Sequence, residues 1–206
     1  MGQYLMISFA LFGAGRIGAM HAKNIFENGK SKLVYVYDPN KIFSKKIAGK
    51  FNCKIADNPD EIFNDKNLNA VLIASPTNTH IELILKAARS KKAIFCEKPI
   101  DLDINKINKC EKKLIKYKAP IQIGFNRRYD KSHLSAINKY DKGEIGDIEK
   151  IIITSRDPAP PSLEYLLQSG GIFRDMTIHD FDLSRFILRN DVIIEVFASA
   201  SNLFDK

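Results

Sequence analysis

Six residues near the N-terminus have the types and the spacing that could hold a phosphate group. They read Gly13-Ala14-Gly15-Arg16-Ile17-Gly18 and stand directly between an apolar run and a segment with helical spacing. In such a loop the first glycine permits a tight turn, the second lets the backbone approach a pyrophosphate, and the third lets helix and strand pack closely. Amide groups at the helix N-terminus then face the anion. The alternative is a glycine turn with a structural role only.

A carboxylate follows the second apolar run. Asp38 lies twenty residues past Gly18, where it can accept hydrogen bonds from the ribose hydroxyls of a dinucleotide's adenosine. A 2′-phosphate would be repelled there, and no arginine stands beside Asp38 to compensate. The sequence therefore favours NAD over NADP. The alternative interpretation of Asp38 is a turn former at a strand end, ahead of Pro39.

Three further side chains could act on a substrate. Lys98 follows an apolar run, at the predicted end of a strand, which is where ligands bind in parallel sheets. Asp175 and His179 are four residues apart, which predicts one face of a helix. An adjacent apolar stripe comprises Ile172, Met176, Leu183 and Ile187. Taken from the residues alone, a surface lysine and a structural His–Asp pair remain the alternatives.

Short apolar runs separated by helix-like segments predict the elements that position these residues. The runs are Ile7 to Phe12, Leu33 to Tyr37, Cys53 to Ile55, Ala70 to Ala74, Ala93 to Cys96 and Ile121 to Phe125. Their length and apolar character suit strands that are covered on both faces. The alternation predicts an α/β fold, a Rossmann doubly wound parallel sheet, over residues 1–125.

The rhythm changes after residue 125 and predicts a second, incomplete α+β domain over residues 126–206. A polar helix-like segment covers about 130 to 142, and β-like runs cover Ile148 to Thr154 and Val192 to Phe197. Three prolines at 158, 160 and 161 predict an extended loop that Gly170-Gly171 ends. Ile172 to Leu188 has helical periodicity. Two strands rarely form a stable sheet alone.

Composition excludes several classes of protein. The chain has 206 residues, of which 45% are hydrophobic and 27% charged, so it reads as globular rather than disordered. Its net charge of +8 comes from scattered lysines that lie outside aromatic-rich segments, so we expect neither a nucleic-acid nor a membrane partner. Three cysteines without metal-ligand spacing indicate a reducing, cytoplasmic location and no metal site.

Three segments resemble the Gfo/Idh/MocA oxidoreductase family, and within it the members that oxidise inositols. The first runs from Ala74 to His80 after the fourth predicted strand, and the second is Cys96-Glu97-Lys98-Pro99-Ile100. The third and most specific comprises Ser155 to Pro158 and Gly170 to Asp182. In the family the first segment lies along the cofactor near its nicotinamide, and the lysine of the second enters the active site.

The resemblance implies a set of site residues. The cofactor-binding residues are Gly13, Gly15, Arg16, Ile17, Gly18, Asp38, Ser75, Thr77, Asn78, His80, Glu97 and Lys98. The substrate-binding residues are Lys98, Asn126, Arg127, Asp157, Asp175 and His179. Among them His179 is the expected catalytic base, Lys98 the hydrogen-bond donor to the reacting oxygen, and Asp175 the residue that orients them.

The implied reaction is the NAD-dependent oxidation of a secondary hydroxyl of a cyclic polyol, with myo-inositol going to its 2-keto derivative. The alternatives are another sugar or polyol substrate within the family and a non-catalytic NAD-binding remnant. The resemblance runs from Phe9 to about Ser201, whereas the family's second domain continues through further strands. We therefore expect this chain to bind NAD better than it catalyses and to self-associate, and its longer relatives to be homo-oligomers.

Overall fold

A computed structural model describes residues 6–189 and 191–201 of the chain. Within these residues six strands form one sheet in the order β3-β2-β1-β4-β5-β6, and every neighbouring pair is parallel. The strands are β1 Ile7–Phe12, β2 Ser31–Tyr37, β3 Lys54–Ile55, β4 Ala70–Ile73, β5 Ala93–Cys96 and β6 Ile121–Ile123. This is the Rossmann strand order, so the predicted fold class is confirmed.

Five helices connect these strands and cover both faces of the sheet. They are α1 Arg16–Glu27, α2 Lys41–Phe51, α3 Pro59–Asn64, α4 His80–Arg89 and α5 Ile104–Tyr117. Side-chain caps fix three of the starts: Asn40, Asn58 and Asp103 each accept a backbone amide of the first turn. These polar residues explain why the helix-like segments begin where they do.

Two buried clusters lie on opposite faces of the sheet, because successive side chains of a strand alternate in direction. Ala10 and Phe12 of β1 belong to one cluster, and Leu11 between them belongs to the other. Strand β4 repeats the pattern and is buried at every position. The central strands are therefore held rigidly, and their carboxyl ends form a fixed edge.

Contacts divide the described chain into two units. The first unit holds residues 6–125 and 163–175, and the second holds residues 126–162 and 176–201. Two short helices of the first unit are α7 Leu163–Ser169 and α8 Ile172–Asp175. The second unit contains a short 3₁₀ turn at Asn126–Tyr129 with α6 Lys131–Asp141 and α9 Ile178–Leu188.

The structure corrects three expectations for the region after residue 125. The β-like runs at 148–154 and 192–197 are not strands, and no strand occurs in the described residues beyond 125. A strand needs a hydrogen-bonded neighbour, and an apolar run by itself supplies none. The loop predicted between the prolines and Gly170 contains α7. The helix predicted over 172–188 is two helices, α8 and α9.

Candidate active site

The glycine loop joins β1 to α1, and its three glycines face three different surroundings. Gly13 has a φ of +88°, and a Cβ there would come 2.5 Å from the carbonyl oxygen of Ala74. A Cβ on Gly18 would come 1.9 Å from the carbonyl oxygen of Gly13. A Cβ on Gly15 would meet no atom within 4 Å. The first and third glycines are thus required by the fold, whereas the space over Gly15 is open to a ligand.

Asp38 lies against this loop at the carboxyl end of β2. Its Oδ2 accepts the backbone amide of Ala14 at 2.7 Å, and its Oδ1 accepts the amide of Asn40 at 2.8 Å. The second bond makes Asp38 a turn former, and the first fixes its carboxylate beside the glycine loop. An ionised carboxylate has about four acceptor positions. Two oxygens that each accept one amide therefore retain capacity for ribose hydroxyls.

A short segment after β4 carries several of the predicted cofactor residues. The hydroxyls of Ser75 and Thr79 are 2.6 Å apart, and Thr79 also donates to the carbonyl of Pro76 at 2.7 Å. Thr77 is half-buried, Asn78 is exposed, and His80 is 1% exposed. The segment is thus internally braced, with the side chain of His80 turned into the protein.

Glu97 follows β5, and both oxygens of its carboxylate contact other groups of the protein. Its Oε1 is 2.7 Å from His21 Nε2, and its Oε2 accepts the Lys98 amide at 3.3 Å. Burial alone would raise the pKa of Glu97, but the hydrogen bond and charge of His21, with the amide and charge of Lys98, lower it on balance. Sequence reasoning missed His21, although its place on α1, directly after the glycine loop, could have indicated it.

Lys98 makes an ion pair within the first unit. Its Nζ donates to Asp175 Oδ1 at 2.8 Å and to the Asp175 carbonyl at 2.6 Å. The peptide bond between Lys98 and Pro99 is cis. Tyr165 of α7 also donates to Asp175 Oδ1, at 2.8 Å. Tyr165 was not among the predicted site residues, because a tyrosine in an expected loop carries no spacing signal. The structure thus brings together Lys98 and Asp175, two of the three predicted catalytic residues.

Asp175 and His179 do not lie on one continuous helix. In a continuous helix the Asp175 carbonyl would accept the amide of His179. That carbonyl accepts Lys98 Nζ, and the His179 amide donates to the Met176 carbonyl at 3.2 Å. Helix α8 ends at Asp175 and α9 begins at Ile178. The prediction of a single helix face for the pair is therefore wrong.

The second unit gathers other predicted substrate residues around a cavity. Arg127 pairs with Asp180, and Ser155 donates to Asp180 Oδ1 at 2.7 Å. Arg127 and Asp157 line a cavity of about 590 Å³ that is also lined by the apolar side chains of Met176, Leu183 and Ile187. Asn126 is exposed in the turn that opens this unit. His179 is half-buried on α9.

The described residues lack two kinds of feature. None of the helices there is long and apolar enough to cross a membrane. The described part of the chain also holds no cluster of three or more His, Cys, Asp or Glu side chains that could bind a metal ion.

Comparison with known families matches both parts of the chain. Residues 7–125 match the model described as "Oxidoreductase family, NAD-binding Rossmann fold", and residues 133–206 match the "GFO/IDH/MocA C-terminal domain". The chain belongs to the GFO/IDH/MocA family of oxidoreductases. The resemblance noted in the sequence is confirmed, and the first unit contains an NAD-binding Rossmann domain.

Among curated members of the family, the chain is similar to enzymes named for inositol. It is 45% identical over 202 residues to the inositol 2-dehydrogenase of Rhizobium meliloti, covering 98% of this chain and 61% of the relative. It is 40% identical to the myo-inositol 2-dehydrogenase of Thermotoga maritima, covering 95% of this chain and 59% of the relative. The chain thus spans about three fifths of the length of these relatives.

Solved structures that are similar to this chain are also named for inositol. A putative myo-inositol dehydrogenase from Sinorhizobium meliloti is 46% identical with a TM-score of 0.87, over 90% of this chain and 56% of that one. The scyllo-inositol dehydrogenase of Lactobacillus casei, described with bound NAD(H) and scyllo-inositol, is 31% identical with a TM-score of 0.78, over 88% of this chain and 56% of that one.

Proposed function

We propose that this chain oxidises a secondary hydroxyl of a cyclic polyol with NAD, converting myo-inositol to its 2-keto derivative. The observation that carries the proposal is the Lys98–Asp175 ion pair, in the same unit as the glycine loop and next to the end of β5. The substrate class follows from the names of the relatives. The bound scyllo-inositol of one solved neighbour supports a second candidate, another inositol isomer.

The residues present fit NAD. The open space over Gly15 admits a pyrophosphate close to the backbone, and the first turn of α1 offers amide groups to it. Asp38 would accept the adenosine ribose hydroxyls. Arg16, Ile17 and the segment Ser75 to Asn78 complete the proposed cradle. When bound, the nicotinamide supplies the acceptor for the hydride that leaves the substrate carbon.

The protein groups would handle the proton and the charge. His179 is the proposed base, because a neutral imidazole can take the hydroxyl proton near neutral pH. The Lys98 ammonium would donate to the reacting oxygen and stabilise the negative charge that develops there. Asp175 would hold that ammonium in place through its carboxylate and its carbonyl.

Polar groups of the second unit would recognise the remaining hydroxyls. Asn126, Arg127 and Asp157 are the proposed contacts, since a polyol is bound through many donors and acceptors. Arg127 and Asp157 line the cavity described above, which supports this assignment.

Location and assembly are part of the same proposal. The three cysteines are free thiols. This supports a reducing, cytoplasmic compartment. Exposed apolar side chains between 192 and 197, of which Ile194 is 96% exposed, support association between copies.

The direct experiment is an NADH absorbance assay of the purified chain against a panel of inositols and aldoses. We expect myo-inositol or another inositol to give the highest rate. Lys98→Ala should remove this activity, and the control Lys106→Ala, which loses an exposed lysine on α5, should retain it. NADH formation from aldoses but from none of the inositols would refute the substrate assignment.

A further inference from the structure

His80, the first residue of α4, bridges two segments that follow neighbouring strands. Its Nε2 is 2.8 Å from the carbonyl oxygen of Ser75, after β4. Its Nδ1 is 2.8 Å from the carbonyl oxygen of Pro99, after β5. The side chain is fully buried, at 1% exposure. A single imidazole therefore connects the segment of predicted cofactor residues to the peptide that carries Lys98.

The contacts on both sides make this bridge specific. Both acceptors are backbone carbonyls, and a buried carbonyl that loses its donor is costly. A neutral imidazole can donate to one of them at a time, and an imidazolium to both. The Ser75 side chain is fixed separately through Thr79. His80 is thus the shared support of the two segments, while its burial keeps its own ring away from any ligand.

The strand order assigns this bridge to one half of the dinucleotide site. A dinucleotide lies across the point where the strand order reverses, which here is between β1 and β4. Asp38, the proposed ribose partner, follows β2 on one side of that point. Ser75 and Pro99 follow β4 and β5 on the other side. His80 consequently supports the half that holds the nicotinamide, not the half that holds the adenosine.

We propose that His80 is a positioning residue that fixes the nicotinamide half of the cofactor site by holding the Ser75 and Pro99 carbonyls together. The proposal rests on the proposed function for the presence of NAD. It predicts that His80 contributes to the affinity for NAD and not to the affinity for ADP, which lacks the second ribose and the nicotinamide.

Two variants separate the two contacts. In His80→Asn the side-chain amide overlaps the Nδ1 position and retains a donor toward Pro99. In His80→Gln it overlaps the Nε2 position and retains a donor toward Ser75. The matched control is Ser8→Ala. The buried Ser8 hydroxyl also joins two segments, because it connects β1 to the loop at Asn67 and Asn69, and it lies toward the amino ends of the strands, away from the proposed cofactor site.

The experiment measures NAD and ADP dissociation constants of the chain by calorimetry, with melting temperatures of every variant. At least one of the two His80 variants, the one that loses the donor to the carbonyl that the ring supplies, should bind NAD about tenfold more weakly, the effect of one lost buried hydrogen bond, and neither variant should change ADP binding. Ser8→Ala should lower the melting temperature and keep both affinities. Each variant keeps one of the two contacts. The test therefore still gives a result if one of the variants fails to fold.

Equal weakening of NAD and ADP binding, or no weakening of either, would overturn the role of His80. This outcome differs from failure of the proposed function, which would show as absent turnover of every inositol by a chain that binds NAD. The ratio of NAD to ADP affinity is measured without turnover. Failure of the role of His80 and failure of the proposed function therefore give different results.

Discussion

At the scale of single residues, Asp38 combines a contact role that the structure shows with a cofactor role that is proposed. Both oxygens are fixed by backbone amides, one of them from the glycine loop. The spacing after Gly18 predicts that Asp38 binds the ribose, and this stays a prediction. The alternative role as a turn former is confirmed by the bond from the Asn40 amide, and the carboxylate retains acceptor capacity for the predicted role.

We expect Asp38→Ala to narrow the preference for NAD over NADP. The variant loses the ribose acceptor and also the negative charge that repels a 2′-phosphate. Calorimetry with both cofactors measures the ratio, and Asp147→Ala, an exposed carboxylate of the second unit, is the control. Equal affinity of the unmodified chain for NAD and NADP would count against the ribose role.

Lys98→Ala and His179→Ala should each lower turnover while NAD affinity changes little. General acid–base groups contribute about 10² to 10⁴-fold, and both side chains are proposed to act at the substrate end. Steady-state kinetics with calorimetry separate the two effects. Near-normal turnover by His179→Ala on its best substrate would show that the base is assigned wrongly.

The contact between Glu97 and His21 predicts a pH dependence of stability. Because the pKa of Glu97 is lower in the folded chain than its ordinary value, folding favours the ionised carboxylate. Its stabilisation is present above the ordinary carboxyl pKa of about 4.3 and is lost as the pH falls through the lower, folded-state pKa. Glu97→Gln should therefore melt at a lower temperature near neutral pH.

Melting curves between about pH 3 and pH 7 test this, since they bracket the carboxyl range. The difference between the unmodified chain and Glu97→Gln should shrink as the pH falls. A difference that stays constant over the whole range would mean that ionisation of Glu97 contributes nothing.

At the scale of elements, the glycine loop contains two glycines that the fold requires and one, Gly15, that is proposed to contact the cofactor. Gly15 has a φ of −69°, which alanine adopts readily, and open space over its Cα. Gly18 packs against the Gly13 carbonyl at a distance that no Cβ tolerates. Gly15→Ala should therefore fold normally and bind NAD weakly, whereas Gly18→Ala should lose stability.

Thermal melting and NAD calorimetry on both variants give the comparison. If Gly15→Ala bound NAD as tightly as the unmodified chain, the pyrophosphate would lie elsewhere.

The elements that were predicted correctly are those whose signal lies within a short stretch of the sequence. The central strands β1 and β4 were found from short apolar runs, because burial on both faces leaves a continuous signal in the sequence. The break between α8 and α9 could not be found in this way. At that point the Asp175 carbonyl accepts Lys98 Nζ, a contact between residues 77 positions apart that no local pattern contains. Helical periodicity continues through that point.

The same reasoning explains the β-like runs at 148–154 and 192–197. Their apolar character is real, and Ile152 and Phe197 are largely exposed in this chain. A strand is defined by its pairing partner, so apolar character alone over-predicted strands here.

At the scale of the whole molecule, the chain joins an NAD-binding Rossmann domain to residues that match the family's C-terminal domain. The central claim is that hydrogen passes from a polyol carbon to NAD with the help of Lys98. Tracing the transferred hydrogen itself tests this claim directly.

The measurement is a single-turnover reaction of the chain with NAD and myo-inositol deuterated at C2, followed by mass spectrometry of the nicotinamide product. The account predicts NADH that carries one deuterium, formed at similar rates by the unmodified chain and by Lys106→Ala and about 10²-fold or more slowly by Lys98→Ala. Tight binding of NAD with no transfer of deuterium from myo-inositol, and no reduction of NAD by any other inositol, would contradict it.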